Sequence, residues 1–170
     1  MKLLSVSLVI GALFLTSCGQ SPAEPNASAS VDLNKIYKWR MVTTWPKNFP
    51  GMGMAPEKIA ERVRVMSNGR LDITVYGAGE VVPALETFEA VSQGTVQMGH
   101  GASYYWRGSV PAAQFFTAVP FGLSAQEMNG WLLHGGGMAL WEELYARFNL
   151  VPISGGNTGT QMAGWFNKEI

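Results

Sequence analysis

Leu71-Asp72-Ile73-Thr74-Val75-Tyr76-Gly77-Ala78-Gly79 decides the class of fold. Leu71, Ile73 and Val75 alternate with Asp72, Thr74 and Tyr76. That is the period-2 pattern of a strand, and the glycine-rich run ends it. Upstream, Ile59, Val63 and Met66 recur at helical spacing with Glu61 and Arg62 outward. Pro56 suits a first helical turn, and Asn68-Gly69 closes the helix. Earlier still, from Ile36 to Thr43, Tyr37, Trp39 and Met41 alternate with Lys38, Arg40 and Val42. This second strand stops at Thr44-Trp45-Pro46. Downstream, Pro83 opens a helix with Leu85, Phe88 and Val91 inward. Gly94 stops it, and Thr95 to Gly99 is a short third strand. The order is β-α-β-α-β, and single helices between strands imply parallel pairing through right-handed crossovers.

Beyond Gly101 comes an aromatic loop, Ser103-Tyr104-Tyr105-Trp106, then a Pro-punctuated apolar run from Val110 to Gly122. Gln126 to His134 reads as a helix broken by Gly135-Gly136-Gly137. A second helix follows, with Trp141, Leu144, Tyr145 and Phe148 on one face and Asn149 as its stop. Leu150 to Ile153 is expected as a strand, Gly155-Gly156-Asn157 as a turn, and Gln161 to Phe166 as a last strand. The chain stops four residues later, without a polar tail or terminal helix, so a partial sequence is expected.

The N-terminus speaks to compartment. Lys2 is followed by a mostly apolar run from Leu3 to Leu15, interrupted by Ser5, Ser7 and Gly11. It is shorter than the roughly 20 apolar residues of a membrane-spanning helix and reads as an export signal. Cys18, the one cysteine in the chain, follows Leu15-Thr16-Ser17. This resembles the bacterial lipobox, which implies cleavage after Ser17 and acylation of Cys18, an anchor without a transmembrane helix. Gly19 to Ser30 is rich in Ser, Ala, Pro and Asn, and reads as a flexible tether.

Composition narrows the chemistry. Lys plus Arg and Asp plus Glu are 12 each, so the formal charge is zero. No basic stripe invites nucleic acid. Charged residues make up 14%, below the usual ~25%, while six Trp, five Tyr and eight Phe point to a well-filled core and an aromatic-lined cleft. Ligands of open α/β sheets bind outside the carboxyl ends of the strands. That rule selects Thr44-Trp45-Pro46, Gly77 to Glu80, and His100 to Trp106. These loops hold Trp, Tyr, Thr and Gly and little charge, which suits a small polar solute better than proton transfer. No G-x-S-x-G elbow, H-E-x-x-H, C-x-x-C or Walker loop occurs. Gly135-Gly136-Gly137 lacks the Lys-Ser or Lys-Thr of a phosphate loop, and Gly77-x-Gly79 lacks the third glycine of a dinucleotide fingerprint. His100 and His134 have no visible acid or cysteine partner. His100 reads first as packing at a strand end, then as a residue lining the cleft, and His134 as a helix-end residue. Glu142-Glu143 reads as a solvated helix face. In an extended aromatic loop, Tyr104 and Tyr105 would point opposite ways, so one at most would face a ligand.

Five blocks in order resemble a known family. They are Lys38 to Pro46; Gly69-Arg70-Leu71 with Val75 to Pro83; Phe88 to Gly94; Ser103 to Trp106; and Gly155 to Phe166. Together they resemble the solute-binding subunit of tripartite ATP-independent periplasmic (TRAP) transporters, in the branch that binds 2-oxo acids or lactate. The resemblance implies an α/β, two-lobed periplasmic binding protein-like fold that closes on a monocarboxylate by hinge motion. The first lobe and the start of the second would be present here. The expected organisation is an export signal over 1–17, lipidated Cys18 and tether over 18–35, a first lobe over 36–155, and a strand entering the second lobe over 156–170.

The resemblance also implies site residues and partners. Gln161 would contact both ligand and a sodium or calcium ion, its amide oxygen being a hard donor. Tyr104 or Tyr105 would touch the ligand, and Trp45 would wall the cleft. The family's carboxylate-pairing arginine would lie about twenty residues beyond Gln161, past Ile170, and its bidentate fork suits that role. A Trp-Glu pair of metal ligands would lie later still. Such a chain, ending at Ile170, is expected not to hold its ligand with useful affinity. About 190 further residues, a second domain of common size, would complete it. The implied partners are a small carboxylate, the membrane permease subunits, the membrane through the lipid anchor, and in the full-length protein a second copy. The implied location is periplasmic or cell-surface, and no enzyme activity is expected. A periplasmic enzyme or a ligand-sensing module on a similar two-lobed frame is the alternative.

Overall fold

A computed structural model describes Asp32, residues 34–160 and residues 164–169. Three strands form one sheet: β1 (Tyr37–Thr43), β2 (Leu71–Tyr76) and β3 (Met98–His100). Their order is β2-β1-β3, and both pairings are parallel, as the β-α-β-α-β reading requires. Tyr37 lies opposite Leu71 and Val42 opposite Tyr76, while Thr43 lies opposite His100. The register therefore brings the carboxyl ends of all three strands to one edge.

Helix α1 (Met54–Met66) links β1 to β2. It ends where the backbone turns left-handed at Asn68 (φ 52°) and Gly69 (φ 77°). The Ser67 hydroxyl donates to the Arg64 carbonyl and accepts from the Leu71 amide at 3.0 Å, so one side chain ties the helix end to the start of β2. Ala60, Ile59 and Val63 of α1 pack with Met41, Ile73 and Val75. Met66 does not join them and is 78% exposed. It shares their spacing, but at the last turn nothing among the described residues covers it.

Helix α2 (Thr87–Ser92) links β2 to β3 and is preceded by a 3₁₀ turn over Ala84–Glu86. Ala90 and Val91 pack with Val42, Val96, Tyr76 and Val82. Met41 and Val42, adjacent in β1, thus belong to different core clusters, so the sheet is covered on both faces. α2 lies close to β3: a Cβ at Gly99 would meet Thr87 Cγ2 at 2.7 Å and Val91 Cγ2 at 2.9 Å. Leu85, expected inward, is 61% exposed because the 3₁₀ turn breaks the α-helical spacing that would have aligned it with Phe88.

The remaining core is aromatic. Phe88 meets Trp106, Tyr145 and Phe148 with ring centroids 5.3–5.6 Å apart. Val110 and the fully buried Ala113 complete this cluster. Helices α3 (Ala125–His134) and α4 (Gly137–Ala146) pack beside it. Phe116 is stacked between Trp131 (5.7 Å) and Trp141 (5.3 Å). A reciprocal pair of bonds begins α3: Glu127 Oε2 accepts from the Ser124 amide at 2.8 Å, and Ser124 Oγ accepts from the Glu127 amide. Gly136, left-handed at φ 85°, breaks α3 from α4. Asn149 (φ 58°) follows α4 as expected.

Among the described residues, no strand follows β3. Leu150–Ile153 forms no strand among the described residues, which corrects the expectation of one there: an apolar segment becomes a strand only where a neighbour takes its hydrogen bonds. Of the expected last strand, Gln161 to Ala163 lie outside the described residues, and Gly164 to Phe166 form none. The export signal, Cys18 and most of the tether also lie outside them. Among the described residues, no helix is long and apolar enough to cross a membrane.

Candidate functional site at the strand ends

The three loops selected by the strand-end rule meet. The Thr44 amide donates to the His100 carbonyl at 3.0 Å, joining the ends of β1 and β3. The Ala78 amide donates to the Trp45 carbonyl at 3.0 Å, joining the loops after β1 and β2. Glu80 turns back to accept from the Gly77 amide at 3.0 Å. Its carboxylate also pairs with Lys47 Nζ at 3.2 Å. Lys47 and Glu80 are thus paired with each other at the solvent-exposed rim, and the Lys47 ammonium lies 5.9 Å from the centre of the Tyr76 ring.

Between them stands an aromatic wall. Trp45 meets His100 edge-on at 5.2 Å and Tyr105 at 6.0 Å. Tyr105 meets Tyr104 at 4.7 Å. Ser103–Trp106 is a 3₁₀ turn and not an extended segment. Its side chains fan around an axis instead of alternating, which is why adjacent Tyr104 and Tyr105 touch and are both partly exposed. The turn is anchored beneath. Trp106 Nε1 donates to the Leu85 carbonyl at 3.3 Å. A Cβ at Gly101 would come within 2.5 Å of Trp106 Cη2 and 2.9 Å of Thr44 Cγ2, so only glycine lets β3 pass into the turn here.

The wall is electrically neutral. Burial lowers the His100 pKa, favouring the uncharged imidazole. Burial, with the Tyr105 hydroxyl close by, pushes Tyr104 up to about 12. Thr43 Oγ1 accepts from the Trp45 amide at 3.2 Å and lies 3.4 Å from His100 Nδ1. Thr44 Oγ1 is buried without a hydrogen-bond partner. Hydroxyls and a neutral imidazole on aromatic walls can orient a small anion through hydrogen bonds without adding a charge.

Trp45, Tyr104 and Tyr105 are thus brought together as one wall, whereas Gln161 lies outside the described residues. Thr44 and Glu80 fall within loops that the strand-end rule selects, but their individual contacts, and any part for Thr43, are not legible in the sequence. Their signal was position alone, at or just past a strand's carboxyl end. The segment that leads toward Gln161 does reach the wall: a Cβ at Gly155 would lie 3.6 Å from His100 Nε2 and Cδ2.

The model of bacterial extracellular solute-binding proteins, family 7, matches residues 41–170. The chain belongs to this family. A monocarboxylate 2-oxoacid-binding periplasmic protein of Nostoc sp. is 47% identical over 156 residues, 92% of this chain and 42% of that protein. A TRAP periplasmic solute-binding protein of Pseudoalteromonas atlantica, with bound sodium and pyruvate, is 48% identical with a TM-score of 0.77. The match covers 80% of this chain and 41% of that one. Its counterpart from Colwellia psychrerythraea, with calcium and pyruvate, is 46% identical with a TM-score of 0.77, over 80% and 42% of the two chains. The chain therefore spans about two-fifths of the length of these family 7 relatives.

Sodium and calcium ask for several oxygen donors. Among the described residues of this family 7 chain, no group of three or more His, Cys, Asp or Glu could hold a metal ion. The one acid at the strand-end rim, Glu80, is held by Lys47 and the Gly77 amide.

Proposed function

We propose that this chain is the first lobe of a TRAP-type solute receptor that captures a 2-oxo or 2-hydroxy monocarboxylate, such as pyruvate or lactate. The observation that carries the reading is pyruvate bound in two solved relatives at 46–48% identity. The neutral wall of Trp45, Tyr104 and Tyr105 supports it. A three-carbon acid presents a flat apolar face to an indole and oxygens to hydroxyls. The carboxylate's charge then needs a partner from outside this wall, where Lys47 is already paired with Glu80.

In this reading Trp45 walls the cleft, a tyrosine of the 3₁₀ turn donates to the ligand, and Gln161 gives its amide oxygen to ligand and cation. Sodium or calcium, the ions beside pyruvate in the two relatives, would offset the ligand's charge. The second lobe would supply the arginine. Closing the lobes excludes water and strengthens each of these bonds. The loaded receptor would then pass its cargo to permease subunits in the membrane. It would be held nearby by acylated Cys18, outside the cytoplasm, and would carry out no chemistry on the acid. Mass spectrometry of the mature N-terminus tests the anchor: an unmodified terminus, or unchanged membrane retention in Cys18→Ser, would rule it out.

Thermal unfolding of the protein from its native gene tests the ligand class. A ligand at a hundredfold excess over its Kd adds about 2.7 kcal/mol of stability. Pyruvate or lactate with sodium or calcium should raise Tm, and a neutral sugar should not. A protein stabilised by the sugar and indifferent to both acids would reverse the assignment.

A further inference from the structure

His100 joins three parts of the rim. Its Nδ1 lies 3.4 Å from Thr43 Oγ1. Its ring edge packs on Trp45. Its Nε2 and Cδ2 face Gly155, in the segment leading toward Gln161. A hydroxyl has one proton and two lone pairs. The Trp45 amide already takes a lone pair of Thr43 Oγ1, at 3.2 Å. Thr43 is 1% exposed, so its proton needs an acceptor inside the protein. A bare Nδ1 is that acceptor. The opposite tautomer, with Nδ1–H donating to Oγ1, would make the hydroxyl accept twice and strand its own proton in a buried site.

We propose that Thr43 locks His100 as the neutral Nε2–H tautomer and that this N–H is a hydrogen-bond donor for an oxygen of the bound monocarboxylate. The ligand half rests on the functional reading above, and the tautomer half stands on geometry alone. Burial of the ring works in the same direction, against a second proton. Among the described residues, no hydrogen bond to Nε2 occurs. A Cβ at position 155 would sit in ordinary contact at 3.6 Å, so glycine there leaves the N–H approachable. A neutral donor suits a binding site that must release its cargo, because it selects an acceptor oxygen without adding a full charge.

Long-range ¹H–¹⁵N spectra of histidine-labelled protein read the tautomer. There are two histidines, and His134→Gln assigns the signals. At pH 7 His100 should show a bare Nδ1 and a protonated Nε2. Thr43→Val should release the lock into a mixture, and Thr43→Ser should restore it. A protonated Nδ1, or no change in Thr43→Val, would overturn the lock. Calorimetry with pyruvate plus sodium or calcium, on the protein from its native gene, reads the donor. His100→Phe should lose about ten- to a hundredfold in affinity. His100→Gln, which keeps an N–H near the Nε2 position, should stay within about threefold of wild type, well under the tenfold of one hydrogen bond. Equal affinities in wild type and His100→Phe would remove His100 from the ligand's contacts. Folded wild-type protein that binds no pyruvate would instead sink the functional reading and the donor role with it, while the spectra would still decide the tautomer.

Discussion

The rings of Trp45 and His100 meet edge-on, with centroids 5.2 Å apart and planes at 60°. This contact ties the loop after β1 to the end of β3, beside the backbone bond from Thr44 to His100. Trp45 is half-buried, and its neighbours are His100 and Tyr105. Trp45→Ala should therefore cost about 1–2 kcal/mol, below the ~3–5 kcal/mol of a fully buried Trp. Trp45→Phe should recover most of that. Urea unfolding reads both, and pyruvate affinity should follow the same order if the indole walls the cleft.

Gly101 is a steric gate. Gly101→Ala places a methyl group against Trp106 and Thr44, and both are held by neighbours that cannot yield freely. The expected cost is about 1–3 kcal/mol, the range for overpacking. Gly108 is the control: a Cβ there meets nothing within 4 Å, so Gly108→Ala should lie within about 0.5 kcal/mol of wild type. Equal stability of the two variants in denaturant would mean that the turn yields without cost.

Phe88 holds the aromatic core together by meeting Trp106, Tyr145 and Phe148 at once. Phe88→Ala should lose about 3–5 kcal/mol. Its effect should also reach the rim, because Trp106 is part of the turn that carries Tyr104 and Tyr105. A loss under about 1 kcal/mol would show that the core refills the space.

Burial holds the His100 imidazole below its ordinary pKa of 6.5. Above that pH the ring is neutral whether folded or unfolded, and the fold keeps its full stability. As pH falls through 6.5 the unfolded chain takes up a proton that the folded ring resists. Stability therefore declines until the folded-state pKa is passed, then levels off. His100→Gln should flatten this part of the profile. Denaturant midpoints across the same pH range read it, and an unchanged decline in the variant would assign the effect to other groups.

The sheet was legible because its signals are local. Alternation at Leu71, Ile73 and Val75, and the stops at Asn68-Gly69 and Gly94, need no partner to be read. Local pattern fails where a distant partner decides. Met66 and Leu85 have apolar side chains near the helical stripe, but whether anything covers them depends on packing far away in the chain. Leu150–Ile153 has strand composition without a hydrogen-bonding neighbour. An extended loop would set Tyr104 and Tyr105 on opposite faces, whereas the 3₁₀ turn brings their rings together. Trp45, Tyr104 and Tyr105 could be chosen from strand-end position and family pattern. The link between Thr43 and His100 could not, because it exists only through the parallel register that sets them side by side.

Calorimetric titration of pyruvate, with and without sodium or calcium, is the most direct test of the receptor assignment. It is run on the protein from its native gene and on residues 31–170 alone. The expected result, if the second lobe supplies the carboxylate's partner, is cation-dependent binding by a protein that carries that lobe and none of useful strength by residues 31–170. Micromolar binding by residues 31–170 alone would contradict the division of the site between two lobes. A folded two-lobed protein that binds neither pyruvate nor lactate with either cation would contradict the assignment itself.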